Sequence, residues 1–212
     1  MFDSKIRPLI DPPLNAAGKA LARSGLSANA VSVLGLGFAA AAAVFVVAGW
    51  FVAALVAIIL NRLADGLDGA IARRLGPTDL GGFYDIVFDF FFYGAIPLAF
   101  AIHDPGTNGL AAAVLLASFY ANGATFLAFA AIAAKRGLVT ERQGKKSIYY
   151  FAGLAEGAET IAVFCAMCLW PGGFWMLALG FSALCFASAA ARTIAVSDVL
   201  RHPSVPPEGG PS

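Results

Sequence analysis

The chain has 212 residues, 59% of them hydrophobic and only 13% charged, with a net charge of +1. A soluble domain of this size could not cover so much apolar surface, and a near-neutral balance gives no broad electrostatic footprint for nucleic acid. What remains is an all-α integral membrane protein. Residues Met1 to Ser27 carry Lys5, Arg7, Lys19 and Arg23 and do not read as a cleavable signal. Pro8, Pro12 and Pro13 are expected to break any early helix, leaving a short amphipathic helix over Leu14–Leu26 on the membrane surface. Six spans follow, at about 29–48, 51–75, 81–102, 109–134, 147–170 and 173–199, each reaching the roughly 20 residues a bilayer requires. The expected organisation is an interfacial segment 1–27, a six-helix transmembrane domain 28–200 and a Pro- and Gly-rich disordered tail 201–212.

The connections Gly49-Trp50, 103–108 and Pro171-Gly172 contain no Lys or Arg. Basic residues gather instead in the N-terminal segment, at the second-to-third and fourth-to-fifth connections, and near the end of the sixth span. That asymmetry predicts that both termini are cytoplasmic. It also sets the polar end of spans two and three at the cytoplasmic interface of the cell membrane.

At that end the pattern reads Asp65-x-x-Asp68-Gly69-x-x-Ala72-Arg73, a short polar break, then Gly81-x-x-x-Asp85-x-x-x-Asp89. Ionisable groups at membrane depth are costly and usually functional. Four carboxylates in a confined space require cations to neutralise them. Asp65, Asp68, Gly69 and Ala72 share one helix face at i, i+3, i+4 and i+7, while Gly81, Asp85 and Asp89 share another at i+4 spacing. Two adjacent helices joined by a short loop can turn these faces together, and the small residues Gly69, Ala72 and Gly81 leave room between them. Aspartate oxygens with no His or Cys nearby favour a hard cation such as Mg²⁺, Mn²⁺ or Ca²⁺. A metal so held can grip a diphosphate, Arg73 could add a forked donor, and Asp89, deepest in its helix, is the natural proton acceptor.

The whole pattern resembles the signature of the CDP-alcohol phosphotransferases, the CDP-alcohol phosphatidyltransferase family, which are six-span membrane enzymes. Leu26-Ser27-Ala28-Asn29-Ala30-Val31-Ser32 is similar to the stretch that opens that family's first span. One departure is a gap of seven residues, Arg74 to Leu80, where the family has eight; it falls in a loop and leaves the helical phase of both carboxylate pairs intact. The resemblance implies metal-dependent transfer of a phosphatidyl group from a CDP-linked lipid, CDP-diacylglycerol above all, to the hydroxyl of an acceptor alcohol, with release of CMP. It implies that Asp65, Asp68 and Asp85 ligate Mg²⁺ or Mn²⁺, two ions in all, with Asp89 completing the two-metal site or acting as general base. Gly69, Ala72 and Arg73 would contact the nucleotide, Gly81 would keep its pocket open, and the enzyme would be a homodimer.

Lys135, Arg136, Arg142, Lys145 and Lys146 line the fourth-to-fifth connection on the same side as the acidic motif. They read either as a phosphate subsite for the acceptor or as topology-setting charges meeting anionic lipid. Glu156 and Glu159 in the fifth span read either as an acceptor pocket or as partners of Arg62 or Arg192. Cys165, Cys168 and Cys185 read as buried small hydrophobes, because no second pair or nearby His completes a metal site. The competing class is a small cation- or proton-coupled transporter, which also buries carboxylates. Such proteins place their sites near the midplane between paired halves, however, and this chain shows no internal repeat.

Overall fold

The computed structural model describes residues 3–136 and 157–201. Seven α-helices follow one another there: α1 (Asp3–Arg23), α2 (Ala28–Val47), α3 (Phe51–Leu75), α4 (Asp79–His103), α5 (Pro105–Lys135), α6 (Gly157–Leu169) and α7 (Phe174–Arg201), with a 3-10 turn at Pro171–Gly173 between the last two. No strand occurs among the described residues. Four of these helical stretches are long and apolar enough to cross a bilayer: Ala28–Val47, Asp79–His103, Pro105–Lys135 and Pro171–Arg201. Helix α3 is 25 residues long but carries the charged motif, and α6 is described only from Gly157.

Helix limits follow local punctuation. Ser27 and Thr78 cap α2 and α4 by accepting the amides of Ala30 and Gly81. Asp104 caps α5 through the Thr107 amide, with Pro105 at the first helical position. Gly76, at φ 99°, ends α3 in a backbone region that an L side chain resists. Pro97 lies inside α4 and is buried, and the helix continues through it.

The N-terminal helix departs from expectation. It runs from Asp3 rather than from Leu14, with Pro8, Pro12 and Pro13 inside it. The prolines remove three amide donors, but the later turns are held from outside by α3. A Cβ on Gly18 would stand 2.6 Å from Cβ of Ala70, and one on Gly66 would stand 2.7 Å from the tip of Leu14. Two glycines thus let α1 press against α3, close to the acidic motif.

Buried residues of α2 fall at Val31, Gly35, Ala39, Ala42 and Val46, a single stripe, while Val33, Leu34 and Val44 face outward. That small-residue stripe packs on both α3 and α4. The backbones of the two motif helices stand apart from each other, leaving room between the faces that carry the aspartates. Helix α2 bridges them and leaves a cleft between. Further along, α4 packs on α5, α5 on α7 and α3 on α6. Their shared core is aromatic: Phe100 stacks on Phe174 at 4.5 Å and on Phe51 at 5.8 Å, and Phe164 meets Phe92, Tyr93 and Phe119 edge-on. Cys168 and Cys185 are buried in this core as expected, whereas Cys165 is only partly buried against it; all three are free thiols. At the end of the bundle remote from the motif, His103 Nδ1 donates to Val47 O (3.2 Å) and the ring lies edge-on to Phe51, tying the α2–α3 and α4–α5 turns together. Trp50, Trp170 and Trp175 are exposed at the turns of that same end.

Candidate active site

The cleft between α3 and α4 encloses about 270 Å³ of empty space, counting its open mouth. Helix α2 contributes Ser32, Gly35 and Leu36; α3 contributes Asn61, Arg62, Asp65 and Asp68; α4 contributes Tyr84, Asp85, Phe88 and Asp89. All four aspartates of the sequence pattern therefore line one cavity. The spacing explains it: Asp65 and Asp68 are one turn apart on α3, Asp85 and Asp89 one turn apart on α4, and each helix shows that face to the other across α2.

Each carboxylate has a different setting. Asp68 accepts a 2.5 Å hydrogen bond from Ser32 Oγ. Asp89 Oδ1 accepts from Arg62 Nη2 at 2.8 Å, and its Oδ2 from the Tyr93 hydroxyl at 3.4 Å. Asp65 lies 3.7 Å from Arg62 Nη1. Asp85 is exposed toward the mouth. Arg62 is itself fixed: its Nε donates to Asn61 Oδ1 at 2.8 Å, Asn61 Nδ2 donates to Gly35 O at 2.8 Å, and the guanidinium lies 4.8 Å over the Phe92 ring. Among the described residues, no three acidic, His or Cys side chains converge as a preassembled metal cage. The donor set nevertheless fits a hard divalent cation, being carboxylate and hydroxyl oxygen throughout, with Asp65, Asp68 and Asp85 not held directly on an arginine fork.

The remaining expected residues are dispersed. Gly69, Ala72, Arg73 and Gly81 do not line the cleft; they lie between it and the α3–α4 turn, toward the helix ends. Arg73 is exposed, and its Nη2 donates to Asn15 Oδ1 of α1 at 3.1 Å. Arg73 Nη1 would lie 3.4 Å from a Cβ on Gly69. A Cβ on Gly81 would meet Asn29 Oδ1 at 3.3 Å, so α2 comes close there through the stretch that also carries Ser32. Arg136, at the end of α5, is exposed and away from the cleft lining. Arg142, Lys145, Lys146 and Glu156 lie outside the described residues. Glu159 stands in the first turn of α6, two residues after Gly157, whose Cβ position is 3.5 Å from the Tyr93 hydroxyl. The first described residue of α6 thus stands behind Tyr93, at the back of the site.

Sequence reasoning misses the site roles of two residues. Ser32 is 36 residues from the carboxylate it binds, and only its place in the first-span stretch hints at it. Arg62 is legible as a possible ion partner, but its anchoring by Asn61 and Phe92 has no sequence signal beyond a lone charge one turn before Asp65.

A helical bundle with several apolar spans and a four-carboxylate cleft at one end defines a class: polytopic membrane enzymes acting on phosphorylated substrates. The family model for CDP-alcohol phosphatidyltransferase matches residues 26–194, and the chain belongs to that family of phospholipid-synthesising transferases. It is 43% identical over 192 residues to the inner membrane protein YnjF of Escherichia coli, covering 91% of this chain and 93% of that protein. It is 34% identical over 88 residues to an archaetidylinositol phosphate synthase of Pyrococcus horikoshii, a match spanning 41% of this chain and 46% of that one. The fold is shared with a crystal structure of Mycobacterium tuberculosis phosphatidylinositol phosphate synthase with CDP-DAG bound, at a TM-score of 0.59 and 23% identity over 89% of this chain and 92% of that one.

Proposed function

We propose that the acidic cleft transfers a phosphatidyl group from CDP-diacylglycerol to the hydroxyl of a small acceptor alcohol and releases CMP, in a manner that depends on Mg²⁺ or Mn²⁺. The carrying observation is the convergence of Asp65, Asp68, Asp85 and Asp89 on one cavity in a chain of this family. The cleft opens to one side, so the diphosphate would meet the carboxylates at its mouth, with the nucleoside and the acyl chains outside. Asp65, Asp68 and Asp85 would hold the divalent cation, which supplies charge neutralisation to the non-bridging phosphate oxygens. Ser32 keeps Asp68 oriented for that task.

The acceptor oxygen bonds to the lipid-bearing phosphorus, the bond from that phosphorus to the CMP oxygen breaks, and the hydroxyl proton passes to Asp89. Its Oδ1 is anchored by Arg62, while Oδ2 carries only the longer bond from Tyr93 and is the oxygen available for a proton. Gly69, Ala72, Arg73 and Gly81, between the cleft and the helix ends, form the approach for the nucleotide. The cytoplasmic side is the one implied by the Lys and Arg distribution, which lets a membrane donor meet a water-soluble acceptor. The test is the full chain in lipid nanodiscs with CDP-diacylglycerol, Mn²⁺ and a panel of acceptor alcohols, scoring CMP and identifying the product lipid by mass. CMP release that chelator abolishes is expected; a chain that releases none across the panel, yet conducts cations through Asp85, is a transporter instead.

A further inference from the structure

Arg73 is exposed in the last turn of α3, yet its guanidinium is not loose. Nη2 donates to Asn15 Oδ1 of α1 at 3.1 Å, and Nη1 stands 3.4 Å from the place a Cβ on Gly69 would take. We propose that Asn15 is a positioning residue for the nucleotide: it holds Arg73 ready for the phosphates and so makes α1 a wall of the approach to the cleft. The inference rests on the reading of Gly69, Ala72, Arg73 and Gly81 as that approach. It goes beyond that reading by giving α1, which lies outside the acidic motif, a part in recognising the nucleotide.

Three observations carry it. The first is register. Gly66, Ala70 and Arg73 recur at i, i+4 and i+7 on one face of α3, and Leu14 and Gly18, one turn apart on α1, seat against the first two. A Cβ on Gly18 would stand 2.6 Å from Cβ of Ala70 and 3.2 Å from its carbonyl carbon, so α1 lies directly on the backbone of α3. Leu21 and Ala22 extend the same seam to the buried cluster of Val31, Ala64 and Ile71. Asn15, one residue after Leu14, is therefore presented to Arg73 from a fixed support. The second observation is direction. Helical side chains lean toward the N-terminus of their helix, so Arg73 reaches back over Gly69 toward Asp68, a residue of the cleft, and not onward past Leu75. A bulkier side chain at position 69 would take the space the guanidinium uses. The third is charge. An amide oxygen holds the guanidinium without cancelling its charge, as a carboxylate would, and it engages one of five N–H donors, which leaves the others for phosphate oxygens. An arginine already held in place loses less rotamer freedom when it takes a ligand.

The experiment is equilibrium binding of radiolabelled CMP to the full chain in nanodiscs with Mn²⁺, beside KM and kcat for CDP-diacylglycerol. Asn15→Leu keeps the volume and removes the acceptor oxygen at an exposed position. It should weaken CMP about three- to tenfold, the scale for ordering one long side chain, and raise the donor KM to match, with kcat within about twofold of wild type. Asn15→Gln, which restores an amide oxygen, should recover most of the lost affinity. In an Arg73→Met background, Asn15→Leu should weaken CMP by less than about twofold, because the group it positions is gone. Wild-type affinity in Asn15→Leu overturns the inference. So does an equal loss with and without Arg73, which would make Asn15 a packing residue of α1. A wild-type chain that binds no CMP with Mn²⁺ present sinks the nucleotide reading itself, a result distinct from both.

Discussion

The two halves of α4 face opposite demands. Its first half carries Asp85 and Asp89 into a cleft, with α3 held off by α2; its second half buries Phe92, Ile96, Pro97 and Phe100 in a core where Phe100 and Phe174 stack at 4.5 Å. The aromatic end gains by excluding volume, since every gap forfeits dispersion contacts. The acidic end keeps a gap, and the carboxylates lining it are stabilised there by Arg62, Ser32 and any cation that enters. One helix can do both because the polar and apolar stretches are separated along its axis: the last cleft residue, Asp89, and the first core residue, Phe92, lie less than one turn apart, joined through Arg62, which pairs with one and stacks on the other.

Removing a carboxylate should break the comparison most visibly. Asp65→Asn or Asp85→Asn is expected to lower CMP release by roughly 10²–10³-fold, the scale for deleting one preorganised electrostatic group, with thermal stability unchanged or raised. Residual activity within about threefold of wild type, under 1 kcal/mol of barrier, would remove that carboxylate from the centre. Truncating the other end should do the reverse. Phe164 is fully buried against Phe92, Tyr93 and Phe119, so Phe164→Ala should cost about 3 kcal/mol of stability through the cavity it leaves. The protein that remains folded should still bind Mn²⁺ at its original affinity. A parallel loss of metal affinity would show that the two ends are not independent.

The apolar end and the carboxylate pattern are legible in the sequence for the same reason: each is a periodicity. Helix α3 is expected at 51–75 and found at Phe51–Leu75, because Gly49-Trp50 and Gly76-Pro77 punctuate it on both sides. The i+3 and i+4 spacings alone assign the aspartates to shared helix faces. What no period encodes is which distant residue meets them. Ser32 reaches Asp68 across 36 residues, and Arg62 reaches Asp89 across 27. The start of the N-terminal helix is hidden for a different reason. Pro8, Pro12 and Pro13 are local breakers, whereas the Gly18–Ala70 and Leu14–Gly66 contacts that hold the helix are tertiary. The role of α2 is hidden likewise: chain adjacency across Gly76-Pro77-Thr78 suggests that the two acidic faces meet, as they do, but not that α2 packs on both helices and bridges them.

Ser32 offers a finer test of the acidic end. Ser32→Ala removes the hydrogen bond to Asp68 without touching the ligand set, and should weaken Mn²⁺ about tenfold, the low end for losing a group that orients a metal ligand. The effect should appear in metal affinity and in the KM for donor, with little change in kcat at saturating Mn²⁺. If kcat falls while Mn²⁺ affinity holds, Ser32 acts on substrate and not through Asp68.

The smallest expected effect belongs at the remote end and carries its own pH signature. Asp104 is fully exposed and caps α5; the hydrogen bond from the Thr107 amide holds its carboxyl below the usual range. A carboxyl whose pKa is depressed by folding contributes stability above its unfolded value of about 3.9 and loses it as pH falls through the lower folded value. Asp104→Ala should therefore destabilise the chain slightly at neutral pH, and the difference from wild type should vanish in acid, once the wild-type carboxyl is protonated. Asp104→Asn, still a good cap, should retain most of the neutral-pH stability but show no such pH dependence. Neither variant should alter CMP release, because the cap lies at the opposite end of α4 from Asp85 and Asp89. A change in CMP release would mean that the α4–α5 turn communicates with the cleft along the helix, and the separation of the two halves of α4 would have to be abandoned.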